Sequence, residues 1–480
     1  MSTKSHSHNH VFFLSNPEIG NLVPTVQFAQ RLLNHRPGLF SATVFIIPLP
    51  QRPLVNTFVQ SLPNAVPNIR FLHLPPVDLP SPDQLPSSEI GHISLLVEKQ
   101  KPHVKRAIED LHSAESDSNS GRVAALFVDM FCTSMIDLAG DLGVPCYLFY
   151  ASPATFLGFM LELQVLDPQL SSDSVTHELR LPSFANPLPW NVLPTTVLKR
   201  RDGYSWYLYH ARRYTETKGI VINTFRELEP YALDSLRKSG VPKVFPIGPV
   251  IDINGPAQWH PERAQYERVL KWLDNQPASS VVFLCFGSMR SLTGPQVREI
   301  AVGLERAGYR FLWTLREPPK SKLGIPSDYV NFDEVLPRGF LERTSGMGLV
   351  CGWAPQVTIL AHQAVGGFVS HCGWNSILES LWHGVPIATW PIFAEQQMNA
   401  FEMVEELGLG VKIRLDYREG SNLVLAEEVE KGVKDLMEVD NEVREKVKRM
   451  RETSRMTLME NGSSQESFRA LVEELTATRN

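Results

Sequence analysis

Short apolar, β-branched runs alternate with amphipathic segments along most of this chain. Val11–Ser15 (VFFLS) reads as a strand and Val23–Leu33 as a helix. Thr43–Ile47, Phe71–Leu74, Ala124–Val128, Tyr147–Tyr150 and Ile220–Asn223 continue the strands, with helical candidates such as Val104–Leu111 and Ser134–Leu142 between them. The alternation then restarts. Ser280–Phe286, Arg310–Leu315, Gly348–Cys351, Gly367–Ser370 and Ile387–Trp390 read as strands, Gln296–Ala307 as a helix. Strands alternating with helices form βαβ units and parallel sheets. The predicted fold class is α/β, with two doubly wound parallel-sheet domains.

The punctuation supports that division. Pro246–Pro261 holds four prolines and two glycines and no sustained apolar period, so it reads as an interdomain linker with a hinge near residue 250. Pro75–Pro86, with five prolines, and the stretches Asp173–His177 and Pro182–Pro194 read as long irregular loops. From Ala426 the chain is charged and helical. Asn461-Gly462-Ser463 breaks it before a last amphipathic helix, Ser467–Leu475. That tripeptide matches a glycosylation sequon, but a helix-breaking turn is the simpler reading. The expected domains are 1–250 and 251–460, followed by a C-terminal segment, 461–480. Ligands of such folds sit at the carboxyl ends of the strands.

Composition narrows the function. The 480 residues are 43% hydrophobic and 20% charged, an ordinary globular balance that argues against disorder. A net charge of −6 gives no broad cationic surface, so nucleic acid is not expected as a partner. The apolar runs are far short of the roughly 20 residues that cross a bilayer, and the start, MSTKSHSHNH, shows no secretory signal. Five widely spaced cysteines fit reduced thiols. A cytoplasmic protein is the expectation.

Several motifs are missing: G-x-G-x-x-G, Walker A, H-E-x-x-H and G-x-S-x-G. His6, His8 and His10 read as a solvated tail and not as metal ligands, and no metal site is expected. The informative stretch is the 44-residue run Trp353–Gln396. Within it a strand runs to His371, and a small-residue turn at Cys372-Gly373 opens a helix at Asn375-Ser376. Free backbone N–H groups at such a helix start are a ready anion site, to which His371 adds a donor. Trp353 and Trp374 offer flat faces to a base, and Glu395-Gln396 offers partners to sugar hydroxyls. Each residue also has a structural reading. Ser376-x-x-Glu379 matches a capping box, Trp353 fits a core aromatic, and His371 a satisfied buried histidine.

Taken together, the stretch resembles the signature box of plant secondary-product UDP-glycosyltransferases in length and at most fixed positions. Trp272-Leu273-Asp274, Phe286-Gly287-Ser288, Val128–Cys132 and Pro17–Leu33 are similar to other parts of that family. The resemblance implies two facing Rossmann-like domains, the GT-B architecture, with the acceptor in the first domain and the nucleotide sugar in the second. It also implies a last helix that crosses back to the first domain. Carried over, Trp353 stacks on uracil, flanked by Ala354, with Gln356 near uracil and ribose. Glu379 accepts from the ribose hydroxyls, and His371, Asn375, Ser376 and Ser288 bind the pyrophosphate. Trp374, Glu395 and Gln396 hold the sugar. Gln396 at the end of the box, with Trp374 and not Arg, implies UDP-glucose as co-substrate and no further cofactor. The implied reaction is inverting and independent of metal.

One position departs from the family. Its members take the acceptor proton with a histidine after the first strand, oriented by an aspartate of the fourth. Here the sequence reads Pro17-Glu18-Ile19-Gly20-Asn21. Asn21 holds the histidine position and has no useful basicity. Asp129 matches the aspartate, Glu18 lies on the same loop, and His10 is roughly 16 Å back along the strand. The candidate catalytic residues are therefore Asp129, Asn21 and Glu18. Phe131, Tyr150, Phe156 and Trp190 are expected near a flat, apolar aromatic acceptor carrying a phenolic hydroxyl or carboxylate, with a core role as the alternative for each. A degenerate UDP-sugar or aromatic-ligand binding protein, or an auxiliary subunit, is the alternative to an active glucosyltransferase.

Overall fold

The structure, a computed structural model, describes residues 8–62, 68–80, 88–115, 122–170, 178–200, 203–253, 263–320, 324–418, 420, 422–438 and 442–477. His6, Asp173–His177, the end of the Pro75–Pro86 stretch and residues 254–261 of the expected linker lie outside the described residues. The described residues fall into two compact units. One lies within Met1–Val175, Lys199–Ile251 and Thr457–Asn480, the other within Thr176–Leu198 and Asp252–Met456. Thr176–Leu198, and with it Trp190, thus belongs to the second unit although its neighbours on either side belong to the first.

The first unit is built on a parallel sheet of β1 (Asn9–Leu14), β2 (Phe40–Ile46), β3 (Ile69–His73), β4 (Arg122–Asp129), β5 (Cys146–Tyr150), β6 (Gly219–Ile222) and β7 (Val244–Pro246). Their order is β3-β2-β1-β4-β5-β6-β7. Every residue of β1 and β5 is buried, which is why these strands read as continuous apolar runs and not as alternation. The order reverses between β1 and β4, so the loops after these two strands flank the switch point where ligands of such sheets sit. The surrounding helices include α1 (Ile19–His35), α2 (Glu89–Glu115), α3 (Met135–Asp141), α4 (Ala154–Leu170) and α5 (Tyr204–Arg213). Helix α1 starts four residues ahead of the expected Val23 and carries Pro24 inside it. Its start is set by Asn16, whose Oδ1 accepts from the Glu18 N–H at 3.0 Å.

His8 and His10 are not a solvated tail. His10 lies in β1, buried, with Ser41 Oγ at 2.7 Å and Thr43 Oγ1 at 3.0 Å, and His8 reaches the same serine at 2.9 Å. Burial, with His8 and Arg70 nearby, pushes the His10 imidazole down to about 4. The register of β1 against β2 pairs His10 with Ser41, an arrangement invisible in the one-dimensional pattern.

The second unit repeats the plan with β8 (Val281–Cys285), β9 (Arg310–Thr314), β10 (Gly348–Cys351), β11 (Val365–Ser370), β12 (Ile387–Thr389) and β13 (Gly410–Lys412), in the order β10-β9-β8-β11-β12-β13, all parallel. Its helices include α6 (Gly294–Ala307), α7 (Gln356–Leu360), α8 (Trp374–His383), α9 (Gln396–Phe401), α10 (Ala426–Met437) and α11 (Glu442–Met456). Phe311, Trp313 and Trp390 anchor a core that α6 and α10 close on one face. There Gly303 touches Val429 so closely that a Cβ would sit 2.5 Å from its side chain. Here the switch falls between β8 and β11, where Cys285 lies opposite Ser370.

The last helix, α12 (Ser463–Thr476), belongs to the first unit. It follows the turn at Asn461, whose φ of 67° is left-handed, and Gly462 sits at its N-cap. Phe468 packs edge-on against Phe28 and His35 and lies under the Arg31 guanidinium. Tyr147 donates to Glu474 at 2.9 Å, and Arg122 donates to the Leu475 and Ala477 carbonyls. Among the described residues, no helix is long and apolar enough to cross a membrane.

Candidate active site

In the first unit the candidate residues converge on Asp129, the last residue of β4. One carboxylate oxygen accepts from Asn16 Nδ2 at 3.0 Å and from the Phe131 backbone N–H at 3.0 Å; the other accepts from Asn21 Nδ2 at 2.8 Å. Asp129 is 3% exposed. Burial raises its carboxyl to about 6, and the three hydrogen bonds pull the other way without cancelling the effect. Asn16 was not singled out in the sequence, yet it fixes both the start of α1 and one face of this carboxylate.

Glu18 is engaged elsewhere. Its two oxygens accept from Arg52 Nε at 3.0 and 3.1 Å, and the Arg52 guanidinium also grips Glu89. Arg52 is itself 4% exposed. A carboxylate held by a buried guanidinium is a poor proton acceptor.

Of the four aromatics read as acceptor neighbours or core residues, Tyr150 and Phe156 are buried in the core. They are 0% and 1% exposed, their rings 6.4 Å apart, and Tyr150 also meets Tyr214 edge-on. Phe131 keeps surface beside Asp129, and its ring meets His210 edge-on at 5.6 Å. Trp206 stacks on the same imidazole at 5.8 Å. His210 is buried, held between Ser94 Oγ at 2.8 Å and Thr133 Oγ1 at 2.7 Å, and burial pushes it down to about 3, so it is neutral. Trp206 and His210 were missed in the sequence; helix α5 shows no motif that marks them. Trp190 keeps surface on the second unit.

In the second unit the candidates gather at the carboxyl ends of β8 and β11. Chain leaving β8 turns at Gly287, with φ +82°, to present Ser288. Chain leaving β11 turns at Cys372, with φ +62°, and enters α8. The helix starts at Trp374 with Gly373 as N-cap; no side chain caps it and no acidic residue stands in its first turn. Ser376 is therefore the third residue inside the helix, and the expected capping box does not form. Its Oγ instead accepts from Gln356 Nε2 at 2.8 Å, and the same nitrogen donates to Glu379 at 2.7 Å. Burial lifts the Glu379 carboxyl to about 7; Gln356 opposes this and Asp252 adds to it.

His371 is wedged between two glycines. A Cβ on Gly287 would lie 2.8 Å from its Nε2, and one on Gly373 only 2.6 Å. Burial pushes the imidazole down to about 4, with the Cys285 backbone acting weakly the other way, so it stands neutral beside the open helix start. Asn399 Nδ2 donates to the Cys372 carbonyl at 2.9 Å and holds the turn.

Trp353 retains surface on the loop between β10 and α7 and is not a core aromatic, with Ala354 buried beside it. Trp374 is 2% exposed, so its indole is mostly core. Gln396 is buried, and its Oε1 accepts from the Ile392 and Phe393 N–H groups at 3.0 and 3.1 Å. Glu395 is the N-cap residue of α9 and Asn375 stands in the first turn of α8; both keep surface.

Two parallel-sheet units and an uncapped helix start between a glycine-seated histidine and a glutamine–glutamate pair suit a protein that handles a nucleotide diphosphate. Comparison with known proteins agrees. The family model described as UDP-glucoronosyl and UDP-glucosyl transferase matches residues 236–450. UDP-glycosyltransferase 43 of Pueraria montana var. lobata is 57% identical over 97% of this chain and 99% of its own length. The UDP-glucose flavonoid 3-O-glucosyltransferase 6 of Fragaria ananassa is 46% identical over 97% and 98%. The crystal structure of Medicago truncatula UGT71G1 complexed with UDP-glucose superposes with a TM-score of 0.88 at 43% identity, covering 98% of this chain and 99% of that one. The chain belongs to the plant UDP-glycosyltransferase family and is a glycosyltransferase enzyme of the GT-B class.

Proposed function

We propose that this protein transfers glucose from UDP-glucose to a small, apolar aromatic acceptor, at a phenolic hydroxyl or a carboxylate, with inversion at the anomeric carbon. The observation that carries the donor half is the junction at Gly373, where an uncapped helix start lies beside a neutral, glycine-seated His371. On this reading the pyrophosphate meets the N–H groups of the first turn of α8, with Asn375, Ser376 and Ser288 as further donors. As the acceptor oxygen bonds to the anomeric carbon, the bond to the phosphate oxygen breaks and UDP takes the electron pair. The helix start and the His371 N–H stabilise the growing charge. Trp353 stacks on uracil, with Ala354 and Gln356 at the base and ribose, and Glu379 accepts from the ribose hydroxyls. The sugar meets Glu395 and the side-chain N–H of Gln396, whose carbonyl is committed to the backbone. Trp374, being buried, contributes through its backbone. The relatives named for UDP-glucose and for a flavonoid support the donor and the acceptor class.

The proton is handled differently from the family pattern. Asp129 has three donors on it and almost no surface, and Glu18 is held by Arg52, so neither is placed as a general base. Asn21, which gives one side-chain N–H to Asp129, offers its second N–H to an ionised acceptor oxygen and its carbonyl to a neutral hydroxyl. It orients the nucleophile without removing its proton. Acceptors that arrive ionised, carboxylic acids and acidic phenols, are then the good substrates. Phe131, with the Trp206–His210 stack behind it, supplies an aromatic face beside Asn21 and Asp129. A binding protein without turnover is not favoured, because the donor residues are retained together and the full-length relatives are named as transferases.

The test is an assay with UDP-glucose and a panel of carboxylic acids and phenols of graded acidity, with product masses and the anomeric configuration read by NMR. Rates that climb with acceptor acidity and a β-linked product support the proposal. Equal rates on acidic and neutral phenols would remove the reading of a site without a general base, and an α-linked product would remove inversion.

A further inference from the structure

Trp353 sits in irregular chain, where a residue's orientation is set by whatever holds its backbone. Both of its backbone groups are held by side chains from distant elements. The Trp353 N–H donates to Asp328 Oδ1 at 3.0 Å, and its carbonyl accepts from Gln265 Nε2. Asp328 is in turn set in place. A two-residue antiparallel ladder pairs Arg316-Glu317 with Ser327-Asp328, and Arg316 Nε lies 2.7 Å from the same Asp328 oxygen. Arg316 also donates to the Ser327 and Pro326 carbonyls, tying the ladder's two strands. The neighbouring Gly352 leaves the room this needs: a Cβ there would lie 2.1 Å from the Asp328 carboxylate.

We propose that Asp328 and Gln265 are positioning residues for the nucleotide base, clamping the Trp353 backbone so that its indole meets uracil in one orientation. This rests on the reading of Trp353 as the base-stacking residue. A flat stacking surface gains affinity only as far as it is ordered before the ligand arrives; otherwise binding bears the cost of ordering it. Neither clamp residue is assigned a contact with UDP, so their effect is expected in the base-dependent part of affinity alone. Inorganic pyrophosphate, which shares the diphosphate and lacks the base, separates that part from the rest.

The experiment measures UDP affinity by quenching of tryptophan fluorescence, inhibition by inorganic pyrophosphate, and KM and kcat for UDP-glucose, in the full chain and its variants. Gln265→Ala and Asp328→Ala are expected to weaken UDP by about five- to tenfold, the loss of one backbone hydrogen bond. KM rises, kcat holds, pyrophosphate inhibition is unchanged, and Asp328→Asn, which keeps the accepting oxygen, restores most of the UDP affinity. Parallel loss of UDP and pyrophosphate affinity would show that the pair merely maintains the fold and would overturn the proposal. So would wild-type UDP affinity in both alanine variants while Trp353→Ala is weakened. If Trp353→Ala itself binds UDP like wild type, it is the base-stacking reading that fails, and the clamp fails with it.

Discussion

Asn21 donates its side-chain amide to Asp129 across 2.8 Å, joining the first turn of α1 to the last residue of β4. An amide in that place can hold a nucleophile but cannot deprotonate it. A phenol with a pKa near 10 is only about one part in a thousand ionised at neutral pH. Asn21→His, still oriented by Asp129, is expected to raise turnover of neutral phenols by about 10²-fold or more, the usual contribution of a general base. Carboxylic acid acceptors gain little. Initial rates on the two acceptor classes check this; equal gains on both would mean that proton removal does not limit the wild-type enzyme.

Glu379 gives a pH dependence with a definite sign. Its carboxyl is raised from 4.5 to about 7 in the folded chain. The folded state therefore holds that proton more tightly than the unfolded one. Its contribution to stability is fullest at low pH and is lost as pH rises through about 7. The form that accepts from ribose hydroxyls is the ionised one, so UDP affinity is expected to strengthen over the same range. In Glu379→Gln this component is absent. Calorimetric titration of UDP at a series of pH values compares the two, and identical profiles would take Glu379 off the ribose.

For the sugar, the informative change at Gln396 is to glutamate. Gln396→Glu keeps the oxygen that accepts from the Ile392 and Phe393 N–H groups and removes the side-chain donor. Transfer from UDP-glucose is expected to fall by the worth of one lost hydrogen bond to a buried partner, roughly 1–3 kcal/mol. UDP affinity should stay near wild type. Paired assays with UDP-glucose and UDP-galactose test it, and an unchanged preference between the two would move the sugar away from Gln396.

Gly287 is the seat of His371. Gly287→Ala places a methyl 2.8 Å from the imidazole Nε2 and forces a left-handed residue to carry a Cβ, a strain of roughly 1–2 kcal/mol. The expected result is a folded protein with a displaced histidine and a clearly reduced kcat. Circular dichroism and steady-state kinetics decide it: a folded variant with wild-type kcat would leave His371 without a part in the transfer.

Phe468 ties the last helix to the first unit. Phe468→Ala removes a fully buried ring from Phe28, Arg31 and His35 and is expected to cost about 3–5 kcal/mol. A thermal melt shows this as a lowered first transition; an unshifted melt would mean that α12 adds little to the unit.

The two sheets could be read from the alternation of apolar runs because fully buried parallel strands announce themselves. The Trp353–Gln396 stretch was recognisable as a family box, since its spacing is local, and it lies within the matched residues 236–450. What escaped was every relation across the sheets. Ser376 and Glu379 looked like a capping pair because i and i+3 neighbours are the only ones a linear reading sees. The turn begins three residues earlier, and their shared partner is Gln356, 20 and 23 residues away. Asp328 and Gln265 carry no signal at all until a two-residue ladder and the start of the helix Arg263–Asp274 bring them to Trp353. Tyr150 and Phe156 stood open between an acceptor face and the core because aromatic content does not tell which side of a strand or helix faces the core. The Glu18 carboxylate looked free for want of any hint that Arg52 folds back onto it.

The chain path has a consequence for synthesis. The second unit has all of its residues once Met456 is made, whereas the first waits for α12. At about 5–20 residues per second, Phe468 is added about 10 to 45 seconds after Pro246 completes the first sheet. For that interval the apolar surface that Phe468, Leu471 and Leu475 will cover faces the cell, on a nascent unit whose own sheet is already complete. A message ending just before α12 therefore yields a finished second unit tethered to an unclosed first one, a species more prone to aggregate than to work slowly.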